Sequence, residues 1–330
     1  MKRICIFGAG SVGGHMAACL ARAGLEVSVV ARGPHLAAIR RNGLRLVLAQ
    51  EDFTVKVAAS DSPADLGPQD LVISTLKAQA LPLAAASFAP LLLADTPVVF
   101  AANGIPWWYF HTLADNAQSR LPRLDPQGLL WRHVGAQRTL GCVIRSPNEI
   151  IAPGVIRSNS TVNTFTIGEP DGSDSARLRA MIGALQTGLP GARATPDIRG
   201  EIWRKLVLNV PSSLLSTLAV STGPDLFADA QTRALYRQLG DETSRVAQAY
   251  GIEAHFDLEA QIRSAGTRRH PPSMLQDLLA GRSLEIDAQL RAVQDMARQA
   301  NVATPMLDVT LALLVHRAGL HFPPKADAEA

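Results

Sequence analysis

A chain of 330 residues is longer than one hydrophobic core usually organises, so two domains are expected. Hydrophobic residues make up 47% and charged residues 18%, which excludes global disorder. The formal charge of +3, with no basic cluster interleaved with aromatics, argues against a nucleic-acid partner.

Cys5, Cys19 and Cys142 are odd in number and widely scattered. They have neither metal-ligand spacing nor the look of a disulfide framework, so no metal is expected and a reducing compartment fits best. The start MKRICIFGAG has the charge of a secretion signal, but Gly8-Ala9-Gly10 interrupts its apolar run and a strand is the better reading. The most hydrophobic window, Leu81 to Ala102, contains three prolines and Asp95. It reads as helix, turn and buried strand, not as a membrane span. A soluble, cytoplasmic chain is expected.

In chain order, residues 3–7 form an apolar strand feeding a glycine-rich turn. Gly13 to Ala23 reads as a helix closed by Gly24, and Val27 to Ala31 as a second strand. This is a βαβ unit, the start of a Rossmann-type, doubly wound parallel sheet. Further strands are predicted at Leu71–Thr75 and Val98–Ala101, with a helical stretch over 78–93 between them. Leu140–Ile144, Val155–Ser158 and Thr164–Gly168 read as hairpin-connected strands that finish the first domain. From Ile198 onward the pattern is helical, with Gly223-Pro224 and Pro271-Pro272 falling between periodic segments; the tail from His321 reads as frayed. The expected fold class is therefore α/β over residues 1–195, followed by an all-α domain over residues 196–330. Apolar helices near the C-terminus are compatible with a homodimer.

Gly8-Ala9-Gly10-Ser11-Val12-Gly13 fits G-x-G-x-x-G between a strand and a helix. Gly8 permits the tight turn, Gly10 the approach of a pyrophosphate and Gly13 the packing of helix on strand, while the helix N-terminus offers N–H groups to phosphate. The second strand ends in Ala31-Arg32, where an NAD site would place a carboxylate. A guanidinium there can hold a 2′-phosphate bidentately, so NADP(H) is favoured; the plainer reading of Arg32 is a solvated loop arginine.

In the second half, Ile202, Leu206, Val210 and Ser213 share one helical face, with Lys205 and Asn209 as i,i+4 neighbours beside it. Helical geometry alone leaves two readings open. Lys205 and Asn209 meet something polar, or, slightly favoured, the lysine stem simply covers the core. Glu285 also reads as a first-turn acid, Ser273 as an N-cap, Asn103-Gly104 as a turn and Lys77 as a surface lysine at a helix start. His15 and His111 read as surface or packing residues.

Gly8 to Gly13, Thr75-Leu76-Lys77, Asn103-Gly104, Ile202-Trp203-Arg204-Lys205 with Asn209, Ser273-Met274-Leu275-Gln276-Asp277 and Glu285-Ile286-Asp287 occur in that order. On these blocks the chain resembles the ketopantoate reductase (2-dehydropantoate 2-reductase) family over nearly its whole length. The resemblance implies NADPH-dependent reduction of ketopantoate to (R)-pantoate. It implies Lys205 as the general acid, with Glu285 contacting Lys205 or the nicotinamide ribose. Asn209 and Ser273 would hold the carboxylate and hydroxyl end of the substrate. Lys77 and Asn103 would line the cleft around the cofactor, with Asn103 also reaching the substrate. Where the family often carries a second asparagine, this chain has Ser213, a shorter hydrogen-bonding group.

The segment Pro106-Trp107-Trp108-Tyr109-Phe110-His111 is bulky, and about 20 irregular residues are expected after it. Those aromatics either border the substrate pocket or pack an inserted loop. Two rivals stand beside the leading reading. One is a paralogous reductase of another 2-oxoacid, motivated by Ser213 and the aromatic segment. The other is a dinucleotide-binding sensor without catalysis, which leaves Lys205 and Glu285 unexplained.

Overall fold

The computed structural model describes residues 1–113, 120–158, 160–254, 257–267 and 269–321. The chain divides into two compact units, Met1–Ile198 and Arg199–Ala330. The tail that reads as frayed lies, beyond His321, outside the described residues.

In the first unit, β1 (Arg3–Phe7) leads into α1 (Ser11–Arg22), and β2 (Glu26–Val30) into α2 (Gly33–Asn42). Ile4, Cys5 and Ile6 are fully buried, which is why the strand reads as an unbroken apolar run. Gly24, with φ 87°, closes α1: Leu25 N–H donates to Leu20 O and Gly24 N–H to Ala21 O, so the chain turns straight into β2. The unit continues through β3 (Leu44–Val47), β4 (Asp52–Val55), β5 (Ala58–Ser60), β6 (Leu71–Ser74), α3 (Leu81–Ala84), β7 (Val98–Phe100) and α4 (Leu129–His133). It ends with β8 (Thr139–Arg145), β9 (Asn148–Ala152), β10 (Val155–Ser158), β11 (Thr164–Gly168), α5 (Ala176–Gln186) and β12 (Ala192–Ala194).

The main sheet has eight strands in the order β12-β11-β8-β7-β6-β1-β2-β5. From β5 to β8 every pair is parallel, which is the doubly wound order with its reversal between β1 and β6. β11 joins β8 antiparallel, and β12 joins β11 parallel.

Three departures from expectation have physical causes. The 78–93 stretch is not one helix but a short α3 between 3-10 turns, because Pro82 and Pro90 interrupt it. The strand at Val155–Ser158 does not extend the main sheet. It pairs with β9 and, in parallel, with β3, making a second sheet β4-β3-β10-β9. The stretch after His111 is not wholly irregular, since Leu129–His133 is helical.

The second unit is helical: α6 (Ile198–Ala219), α7 (Gly223–Leu226), α8 (Ala230–Ala249), α9 (Leu258–Ala265), α10 (Ser273–Leu279), α11 (Ala292–Gln299) and α12 (Pro305–His321). A π-helical turn, Asp287–Arg291, runs directly into α11. Asp229 caps α8 through the N–H groups of Gln231 and Thr232. Glu242 of α8 is buried and accepts from the N–H groups of Met306 and Leu307 at 3.0 and 2.9 Å. A carboxylate at the positive end of α12 thereby ties that helix to α8. Among the described residues no helix is long and apolar enough to cross a membrane.

Candidate active site

The glycine loop lies at the carboxyl end of β1, beside the reversal of strand order. Gly8 and Ala9 donate their N–H groups to Val30 O, 3.1 Å each, which pins the loop to the end of β2. Thr75, just past β6, donates its hydroxyl to Gly8 O. Gly8 has φ 111°, and a Cβ on Gly13 would fall 2.1 Å from Gly8 O and 2.3 Å from Thr75 Oγ1. Neither position admits a side chain. Gly10 differs: a Cβ there would meet nothing within 4 Å. No side chain caps α1, so its first N–H groups face that open ground. Open space over Gly10 and an uncapped helix end fit a pyrophosphate.

Arg32 is the N-cap residue of α2, extended (φ −139°, ψ 160°) and exposed. Among the described residues its guanidinium makes no hydrogen bond or ion pair, while its carbonyl accepts from Leu36 N–H at 3.3 Å, and no carboxylate stands at the end of β2. One turn on, His35 Nδ1 accepts from Gly154 N–H at 3.0 Å, tying α2 to the β9–β10 turn. Burial holds His35 below its ordinary pKa, with the Ala9 backbone beside it acting the other way.

Lys77 and Asn103 follow β6 and β7 on the same edge of the sheet, and both are half-buried. Asn103 lines a small pocket with Leu81, Phe100, Ile105, Trp107 and Leu124. Trp107, Trp108, Tyr109 and Phe110 are all nearly inaccessible. Trp107 stands edge-on to Phe100 and Trp131, with ring centres 5.5 and 5.4 Å away. Trp108 packs against β8 so closely that a Cβ on Gly141 would lie 2.5 Å from its ring. The aromatic segment is therefore mainly core, with Trp107 alone of the four in the wall beside Asn103.

His15 is a packing residue, 4% exposed, with Nε2 3.8 Å from Cys19 Sγ. Burial lowers its pKa to about 4 and raises that of Cys19 to about 11, so neither is poised as base or nucleophile near neutral pH.

On α6, Ile202, Leu206, Val210 and Ser213 are buried, while Lys205 and Asn209 are half-buried one turn apart. Pro211 removes one helical donor between Asn209 and Ser213. Tyr236 of α8 braces this stretch, its hydroxyl donating to Leu208 O at 3.3 Å and lying 3.2 Å from Ser212 Oγ.

Ser273 opens α10, but the residue in the cap position is Pro272, so the serine is not an N-cap; its side chain is exposed. Met274 and Leu275 are core residues, and buried Asp277 pairs with Arg282 at 2.9 Å. That pair closes the loop leading to Glu285. Glu285 precedes its helix instead of occupying the first turn, and is only 6% exposed. Gln289 Nε2 donates to Glu285 Oε2 at 3.2 Å. Nothing singles Gln289 out in the sequence except its place four residues after Glu285.

Doubly wound topology with a glycine loop beside the strand reversal defines a dinucleotide-binding α/β protein. Residues 4–172 match the family ketopantoate reductase PanE/ApbA, and residues 197–318 match ketopantoate reductase PanE/ApbA C terminal. A 2-dehydropantoate 2-reductase of Mesorhizobium japonicum is 41% identical over 315 residues, covering 94% of this chain and 96% of its own. A solved structure from Ralstonia solanacearum shares 34% identity at TM-score 0.91, over 97% of this chain and 99% of that one. The 2-dehydropantoate 2-reductase structure from Geobacter metallireducens shares 26% at TM-score 0.83, over 96% and 99%. The chain belongs to the ketopantoate reductase family, and is an oxidoreductase.

Proposed function

We propose that this chain reduces 2-dehydropantoate (ketopantoate) to (R)-pantoate with NADPH, a step toward pantothenate and coenzyme A. The observation that carries the reading is the half-buried Lys205–Asn209 pair of α6, in a chain 41% identical over 94% of its length to a 2-dehydropantoate 2-reductase. Gly8, Ala9, Gly10, Ser11, Val12 and Gly13 hold the pyrophosphate, and Arg32 the 2′-phosphate. Lys77 and Asn103 complete the cofactor site. NADPH, when bound, supplies the hydride.

Charge develops on the ketone oxygen as its carbon is reduced. Lys205 donates a hydrogen bond to that oxygen and then a proton, an interaction stronger in the transition state than before it. Glu285 orients the Lys205 ammonium. Asn209, Ser213 and Ser273 hold the carboxylate and hydroxyl end of the substrate, with Asn103. Three free cysteines, two of them buried, fit a cytoplasmic enzyme.

Lys205→Ala tests the assignment. Turnover should fall by about 10²–10⁴, the range for losing a general acid. NADPH binding, read by fluorescence, should persist. Turnover near the parent value would remove the mechanism.

A second reading, reduction of a different 2-oxoacid, is favoured by one observation: Trp107 shares the pocket of Asn103. A substrate panel separates the two, since the highest kcat/KM identifies the acid the pocket accepts.

A further inference from the structure

Gln289 has no place in the roles above, and its surroundings are not those of an ordinary core position. It lies inside the π-helical turn Asp287–Arg291, four residues after Glu285, and is 1% exposed. Its neighbours Ala288, Leu290 and Val293 are fully buried and apolar. Its Nε2 donates to Glu285 Oε2 at 3.2 Å, and its backbone N–H to Glu285 O at 3.3 Å. Its Oε1 is buried and accepts from nothing among the described residues.

A methionine or leucine would fill this space with no polar atom to satisfy. A buried amide with half its hydrogen bonding unmet is unfavourable, so stability does not account for it. The satisfied half meets Glu285. The π turn adds a second pointer, since such irregularities concentrate at functional sites.

We propose that Gln289 is a positioning residue for Glu285, its amide fixing the orientation of the carboxylate that works with Lys205. The inference rests on the role given above to Glu285, and adds a residue that acts only through it.

The test is a double-mutant cycle on the full chain: Gln289→Met, Glu285→Gln and both together, assayed with ketopantoate and NADPH beside the parent. Gln289→Met keeps the volume and removes the donor. It should lower kcat about tenfold, the upper range for the loss of one ordinary hydrogen bond. NADPH affinity should not change. In the Glu285→Gln background the same substitution should have no further effect. Parent-like kcat in Gln289→Met, or an equal factor in both backgrounds, overturns the proposal. Parent-like kcat in Glu285→Gln instead removes the role of Glu285 itself. Should Gln289→Met fail to fold, Gln289→Asn keeps an amide but draws its donor back from Glu285; unchanged kcat there is equally fatal.

Discussion

Arg32→Ala probes the cofactor reading at one atom group. The guanidinium is exposed at the α2 N-cap, makes no ion pair among the described residues, and has no carboxylate at the end of β2 to compete with a phosphate. A charge-assisted hydrogen bond contributes about 1.5–3 kcal/mol when sheltered. A bidentate pair at an exposed, salt-screened position contributes about 2 kcal/mol in all. That corresponds to roughly thirtyfold in affinity. The KM for NADPH should therefore rise about thirtyfold, while that for NADH, which carries a hydroxyl where NADPH has the phosphate, should hold. The assay is initial rate against each cofactor at saturating substrate, repeated at low and high ionic strength. Salt should weaken NADPH use by the parent and scarcely affect the variant. Equal changes for both cofactors, or none for either, would refute the argument from Arg32.

The two glycines of the loop should behave oppositely. Gly10→Ala meets no atom within 4 Å and should fold normally yet raise the KM for NADPH, whereas Gly13→Ala would lie 2.1 Å from Gly8 O and should lower Tm as well. Binding and melting curves check both; normal cofactor affinity in Gly10→Ala would contradict the pyrophosphate site. His15, held near pKa 4 by burial, stays neutral in the folded chain while the unfolded chain takes up its proton first. Its contribution is complete above about pH 6.5 and declines as pH falls toward about 4, by roughly 3 kcal/mol in total. Urea unfolding across that window should show a shallower decline in His15→Leu, and parallel curves would count against it. Val220 occupies the left-handed position after α6 (φ 52°), where Ser221 N–H closes the helix on Ser216 O. Val220→Gly should raise stability by about 0.5–1 kcal/mol, the relief of a β-branched residue less the entropy of glycine. An unchanged or lower Tm would contradict that.

How far the structure was legible from sequence depends on whether its cause was local. The β1–α1–β2 unit was, because two-sided burial makes an apolar run and the glycines mark its turn. The face of α6 that buries Ile202, Leu206 and Val210 was also visible, from periodicity alone. The second sheet was not: β3 and β4 are short and half-buried, and β10 finds β3 from more than a hundred residues away. Nothing local announces such a pairing. The aromatic run after Asn103 was conspicuous, but only packing shows Trp108 and Tyr109 turned into the core and Trp107 placed in the pocket wall. Ser273 as an N-cap was the natural local reading, yet Pro272 holds that position. Gln289 was invisible for a different reason. A glutamine in a helical pattern reads as solvent-facing, and only its burial and its bond to Glu285 set it apart.

The most direct test of the account follows NADPH absorbance with the purified chain and ketopantoate, with NADH and a panel of other 2-oxoacids alongside. The account predicts rapid turnover that prefers NADPH over NADH and ketopantoate over the panel. NADPH binding without ketopantoate turnover, or a higher kcat/KM for another 2-oxoacid, would contradict it.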